Sequence, residues 1–186
     1  MFQVPQIRRL LDLAGHLLCF LNHFVKLLAQ SSVEGFAGAF ADKQSLLATV
    51  GKEGFRKLRQ ALADAWEENG HGRAGFDAMH RAYVQFAVAH PSHYRVMFGG
   101  FIESAAKDDH FISEARSAFQ VLVDALVEQQ NAGDIRRDDP VLMARFVWAL
   151  VHGTAMLFIN GQLPEPAQRE ALGPHVAERI YYLFAN

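Results

Sequence analysis

The chain has 186 residues, 51% of them hydrophobic, with a formal net charge of -2 at pH 7. That much apolar material excludes a disordered chain and suits one sizeable domain with a small appendage. The slightly acidic balance, with a pI near 6.5, excludes a protein that coats nucleic acid by charge alone, though not a small DNA-reading head. The single cysteine, Cys19, permits no intramolecular disulfide and fits a reducing, cytoplasmic setting. Fifteen Phe against four Tyr and two Trp favour dry helix packing and apolar pockets, because Phe needs no polar partner.

Helical spacing dominates from end to end, which predicts an all-α fold. Residues 5–20 read as a first helix carrying Leu10, Leu11, Ala14, Leu17 and Leu18. The apolar stretch from Leu10 to Leu28 is interrupted by Asp12, His16, Asn22, His23 and Lys26, so it is expected to be core rather than a membrane span or leader. Two short segments, 22–29 and 32–39, follow, and then a long helix from Lys43 to about Glu68 with Asp42 as its cap. Its core stripe is expected to run through Leu46, Leu47, Val50, Phe55, Leu58, Leu62 and Trp66.

The run Asn69-Gly70-His71-Gly72 is a stop. A helix from about Ala74 to Ala89 comes next, broken by Pro91 and followed by a short turn or helix with Tyr94, Met97 and Phe98. After a polar loop, Glu103 to Asp109, a helix spans about His110 to Asn131. Asp138 or Asp139 caps the next helix, with Pro140 in its first turn, and Gly161 ends it near Asn160. The last helix is expected from about Pro174 to Phe184, with or without an earlier segment from Ala167.

The stretch from Phe36 to Leu47, through Phe40, Asp42, Lys43, Gln44 and Leu46, resembles the junction between the recognition helix and the fourth helix of TetR-family regulators. Upstream, Val25, Ala29 and Ser32 match that family's second helix and turn. Downstream, His90-Pro91-Ser92-His93-Tyr94 and Trp148-Ala149-Leu150-Val151-His152-Gly153 are similar to segments of one of its subgroups. The resemblance implies a helix-turn-helix head over residues 1–42 and a ligand-binding, dimerising body over 43–186. It implies a ligand-responsive homodimeric transcription regulator, a repressor of its operator.

The head departs from that pattern. The family's tyrosine is Ala37, its histidine or tyrosine is Ala39, and its turn glycine is Gln30. From Leu27 to Asp42 there is no Arg or Lys. The residues placed to meet DNA are Gln30, Ser31 and Ser32 for base edges, with Lys43 for a phosphate. A helical ligand-binding or interaction protein of the same descent that no longer touches DNA is therefore the alternative.

In the body, an effector pocket is expected among the middle helices. Phe76, Met79, Tyr83, Phe86, Met97 and Phe98 would contribute from one side, with Phe119, Trp148, His152 and Met156 from the other. Tyr83, Trp148 and His152 supply its few polar groups, the composition of a site for a small apolar or aromatic effector. Phe146, Leu150 and Phe158, with Val176, Ile180, Tyr181 and Phe184, are the expected homodimer seam. The nine histidines fall in no metal-binding spacing: His90 and His93 are separated by Pro91, and Glu68 and His71 by a helix stop. No nucleophile elbow or phosphate-cradling loop occurs, so no metal, cofactor or enzymatic activity is expected.

Overall fold

The computed structural model describes residues 43–102, 109–163 and 165–185. Among them lie six helices: α1 (Lys43–Glu68), α2 (Gly72–Ala89), α3 (Pro91–Phe98), α4 (Asp109–Ala132), α5 (Pro140–Ile159) and α6 (Pro166–Phe184). The described residues contain no strand, only a single antiparallel bridge between Ile135 and Ala185. The fold is all-α, as the spacing of apolar residues predicts.

Local chemistry fixes the helix ends. Asp139, rather than Asp138, is the cap of α5: its carboxylate accepts from the backbone N–H of Val141 at 2.8 Å and of Leu142 at 3.0 Å. Pro140 follows in the first turn, where its missing N–H costs nothing. Gly161 closes the helix with φ +64°, and Arg95 of α3 donates to the carbonyl of Ile159 at 2.9 Å. The α1–α2 turn places His71, not a glycine, at φ +63°. Its ring stacks on Trp66 and reaches Glu67 at 3.1 Å and Glu128 of α4 at 2.5 Å.

α2 is the hub. Its backbone runs close to α3, α4, α5 and α6, while α5 also packs on α4 and α6. Phe76, Ala87, Tyr94, Leu126, Val147 and Ile180 are almost wholly buried and tie these helices into one core. α1 stands further off and packs mainly by side chains. Phe55 meets Phe98 and Phe111 edge-on, with ring centroids 5.3 Å away in each case. Two glycines on α1 receive neighbours: a Cβ on Gly51 would sit 2.5 Å from the Phe111 ring, and one on Gly54 would clash with the Met97 sulfur. Among the described residues, α5 is the one helix long and apolar enough to cross a membrane, and a third of that stretch is buried.

Three expectations need correction. Leu46 is 38% exposed rather than part of the α1 stripe, which shifts to Ala48, Phe55, Leu58, Leu62 and Trp66. The last helix does not begin at Pro174; α6 starts at Pro166 and carries Pro174 inside it. The earlier segment and the later one are one helix, because a proline removes one hydrogen bond without obliging the chain to turn away. Ile180 and Phe184, placed at the dimer seam, are 0% and 4% exposed. With Ala177 they form the inward stripe of α6, so their side chains face the chain's own core.

Candidate ligand-binding site

The space between α1 and the rest of the bundle is a cavity of about 260 Å³. Phe55, Leu58 and Leu62 of α1 form one wall, and Met79, His80 and Tyr83 of α2 form another. Phe98 of α3 and Ala115, Ala118, Phe119 and Leu122 of α4 close two more sides. Val147, Trp148 and Val151 of α5 complete the lining. The i, i+3 and i, i+4 intervals within each helix are what bring these side chains to one face. Trp148 lines the cavity yet stays 38% exposed, which puts it at the open side, edge-on to Phe119.

The polar groups gather at one end. Trp148 donates its indole N–H to the Tyr83 hydroxyl at 3.0 Å. Tyr94 donates to Tyr83 at 3.0 Å and lies 2.6 Å from Nδ1 of His152, which is itself 3.2 Å from the Tyr83 hydroxyl. Burial pushes the Tyr83 hydroxyl up to about 12 and also raises that of Tyr94, so both keep their protons at neutral pH. Burial lowers the basicity of His152 and favours its neutral form.

Two of the proton arrangements open to these three atoms use the short Tyr94–His152 contact. In one, His152 carries its proton on Nδ1 and donates to Tyr94, Tyr94 donates to Tyr83, and the Tyr83 proton is left over. In the other, Nδ1 is bare and takes the Tyr94 proton, and Tyr83 donates to Tyr94. Between these two arrangements, the His152 tautomer decides whether Tyr83 has a hydrogen bond to offer.

Of the residues expected to bind an effector, Met79, Tyr83, Phe98, Phe119 and Trp148 line the cavity. His152 lies behind them, joined through the hydroxyl cluster. Phe76, Phe86 and Met97 do not line it: they are core residues, and Met97 fills the notch over Gly54. Met156, half-buried, packs against the core beyond His152. Sequence reasoning placed Phe55, Leu58 and Leu62 in a core stripe without seeing that this stripe faces a void. It passed over His80, which the turn between Phe76 and Tyr83 places on the same face, and it left Tyr94 out of the polar set.

On the outer side, Phe146 and Leu150 of α5 are exposed, whereas Phe158 is half-buried. Val176 and Tyr181 of α6 are half-buried as well, and Arg73 sits 4.4 Å over the Tyr181 ring. The large exposed apolar side chains of α6 are Tyr182 and Leu183. Lys43 opens α1 and is exposed; Gln30, Ser31 and Ser32, with the expected cap Asp42 and the loop residues 103–108, lie outside the described residues.

The described residues form an all-α bundle around an apolar cavity with a sparse polar cluster at one end. The model of the family described as tetracyclin repressor-like, C-terminal domain, matches residues 76–180. The chain belongs to that family. A solved structure, a protein with unknown function from Rhodococcus sp. RHA1, is 30% identical, with a TM-score of 0.76 over 87% of this chain and 84% of that one. No curated protein matches.

Proposed function

We propose that this protein is a ligand-responsive, homodimeric transcription regulator of the TetR type, with a DNA-binding head over residues 1–42 and an effector-binding body beyond it. The observation that carries the reading is the cavity of about 260 Å³, apolar except for the Tyr83, Trp148 and His80 side chains on its wall. Such a lining favours a small uncharged aromatic or apolar effector. An acceptor atom on that effector, set beside Tyr83, selects the arrangement in which His152 carries Nδ1–H.

The dimer seam runs along the outer face of α5. Leu142, Phe146 and Leu150 are 60%, 44% and 39% exposed and fall at successive i, i+4 positions, with Ala149 and Gly153 between their rows. Tyr182 and Leu183 of α6 extend the patch. Gln30, Ser31 and Ser32 are proposed to meet base edges and Lys43 a phosphate. Effector binding and operator binding then weaken each other by linkage, which makes the protein a cytoplasmic repressor released by its effector.

The absence of Arg and Lys from Leu27 to Asp42 favours one alternative, a ligand-binding protein that has lost its operator. Titrating the full chain with DNA from its own promoter region at rising salt separates the two. A regulator gives sequence-specific binding with a steep salt slope, relieved by effector. Binding that ignores sequence points to the alternative. N-phenyl-1-naphthylamine, an uncharged fluorescent aromatic amine, tests the cavity: saturable fluorescence, weakened in Trp148→Ala, is expected. No saturable signal with this or smaller neutral aromatics refutes an effector role.

A further inference from the structure

A second cavity, of about 320 Å³, lies between α2, α5 and α6, behind the first. The His80 ring and Val151 line both, so they form the partition. Two residues that line the second cavity each carry a buried acceptor with no protein partner: Oδ1 of Asp77 and Nε2 of His80. His80 is 6% exposed, and its Nδ1 lies 2.8 Å from the Phe76 carbonyl. That carbonyl can only accept, so Nδ1 carries the proton and Nε2, on the far edge of the ring, carries a lone pair. Asp77 spends its other oxygen on Arg73, at 3.9 Å.

The rest of the wall repeats the pattern. Arg81, Glu170 and Glu178 also line it, so with Arg73 on Asp77 three carboxylates stand beside two guanidiniums. Pro174 lines the cavity too, and its missing N–H leaves the Glu170 carbonyl without the helical bond it would otherwise accept. The rest of the lining is mostly apolar, Val84, Phe158, Val176 and Ala177, with the side chains of Gln85 and Thr154 among them.

We propose that this second cavity binds a small organic cation, a primary ammonium on an apolar body, whose N–H groups donate to Asp77 Oδ1 and His80 Nε2. An ammonium has three donors and no acceptor, which matches a wall with spare acceptors and excess negative charge. An anion meets the three carboxylates. A neutral alcohol has one donor and leaves one of the two buried acceptors unpaired. The site does not rest on the role given to the first cavity.

The test is calorimetric titration of the full chain with phenethylammonium, 2-phenylethanol and phenethyltrimethylammonium. The three share a body and differ in charge and N–H donors. The primary ammonium is expected to bind roughly tenfold or more tightly than either of the others. Asp77→Asn, which keeps the shape but loses the charge, is expected to weaken it by a similar factor while leaving N-phenyl-1-naphthylamine binding unchanged. Should that variant fail to fold, methyl resonances of the unaltered protein locate the ligand. Shifts at Val84 and Val176 support the proposal, and shifts confined to Leu58 and Leu122 overturn it. Equal affinity for all three compounds, or no binding of the ammonium at millimolar concentration, also overturns it.

Discussion

Gly153 offers the sharpest test of the proposed seam. It lies inside α5, exposed, and a Cβ added there meets nothing within 4 Å in the chain. Judged as an isolated chain, Gly153→Ala therefore stabilises, by the helix-propensity difference of ~0.8–1 kcal/mol. For a chain of this length each kcal/mol corresponds to ~2–4 °C in Tm. The position shares a face with Leu142, Phe146 and Leu150, however, so a partner helix on that face crosses near a residue without a side chain. Packed helices lie ~8–10 Å apart, and an added methyl at a close crossing is overpacking, at ~1–3 kcal/mol. That converts to a roughly five- to 150-fold rise in the dimer Kd. Sedimentation across a concentration series, with thermal melts at each concentration, reads both effects. Gly153→Ala should be more stable than the parent when dilute and less dimeric when concentrated. A uniform gain in Tm with an unchanged association constant refutes the close crossing, and a parent chain that stays monomeric at micromolar concentration refutes the seam.

Other expectations follow from the same geometry. Asp139→Ala removes both hydrogen bonds at the start of α5 and should cost ~0.5–2 kcal/mol in urea denaturation, a loss that Asp139→Asn or Asp139→Ser largely avoids. Tyr83→Phe leaves the 2.6 Å contact of Tyr94 with His152 but strips the Trp148 indole of its acceptor. It should cost ~1–2 kcal/mol of stability and weaken ligands with an acceptor atom more than pure hydrocarbons, read by comparing naphthalene with 1-acetylnaphthalene. Two histidines should act on pH stability in opposite senses. Glu128 and Glu67 hold the His71 pKa above its ordinary value, so its contribution is full below pH ~6.5 and fades as pH rises through the higher folded value. Burial holds His80 below its ordinary value, so its contribution is full above pH ~6.5 and fades as pH falls toward and through the lower folded value. Urea midpoints from pH 5 to 8 in His71→Gln and His80→Gln should lose the alkaline and acidic limbs respectively; identical profiles contradict the assignment.

The elements were largely legible because their punctuation is local. Gly70, Gly161 and Pro91 stop or start helices by their own backbone preferences, and Asp139 caps through bonds to residues two and three ahead. Pro174 misled for the complementary reason: whether a proline ends a helix depends on what the flanking turns pack against, which no local rule contains. The cavity was half legible. Periodicity places Phe55, Leu58, Leu62, Met79 and Tyr83 on inward faces, but it does not separate a face that meets another face from one that meets a void. Met97 and Phe119 read alike in sequence; one fills the notch at Gly54 and the other lines the cavity. Tyr94 and His80 were hidden because their importance comes from partners gained, or lacking, across distant parts of the chain.

The composition of α5 joins the two proposed interfaces. It is apolar nearly all round, although much of it is exposed, and a helix of that kind requires cover on more than one side. Its inner face carries Val147, Trp148 and Val151 to the cavity, and its outer face carries Leu142, Phe146, Leu150 and Gly153 to the proposed seam. In the proposed dimer one helix then borders both the cavity and the partner, with no loop between them. A ligand that displaces Trp148 or changes the proton arrangement at His152 would act on the same helix that, in the proposed dimer, sets the spacing of the two subunits. On that reading, coupling needs no long pathway: it requires only that α5 have two packing positions and that ligand and operator prefer different ones. Crosslinking across the seam through a Leu142→Cys pair tests this. The crosslinked dimer should bind N-phenyl-1-naphthylamine with an affinity shifted from that of the reduced form, and an unchanged affinity disproves the coupling while leaving the cavity and the dimer intact.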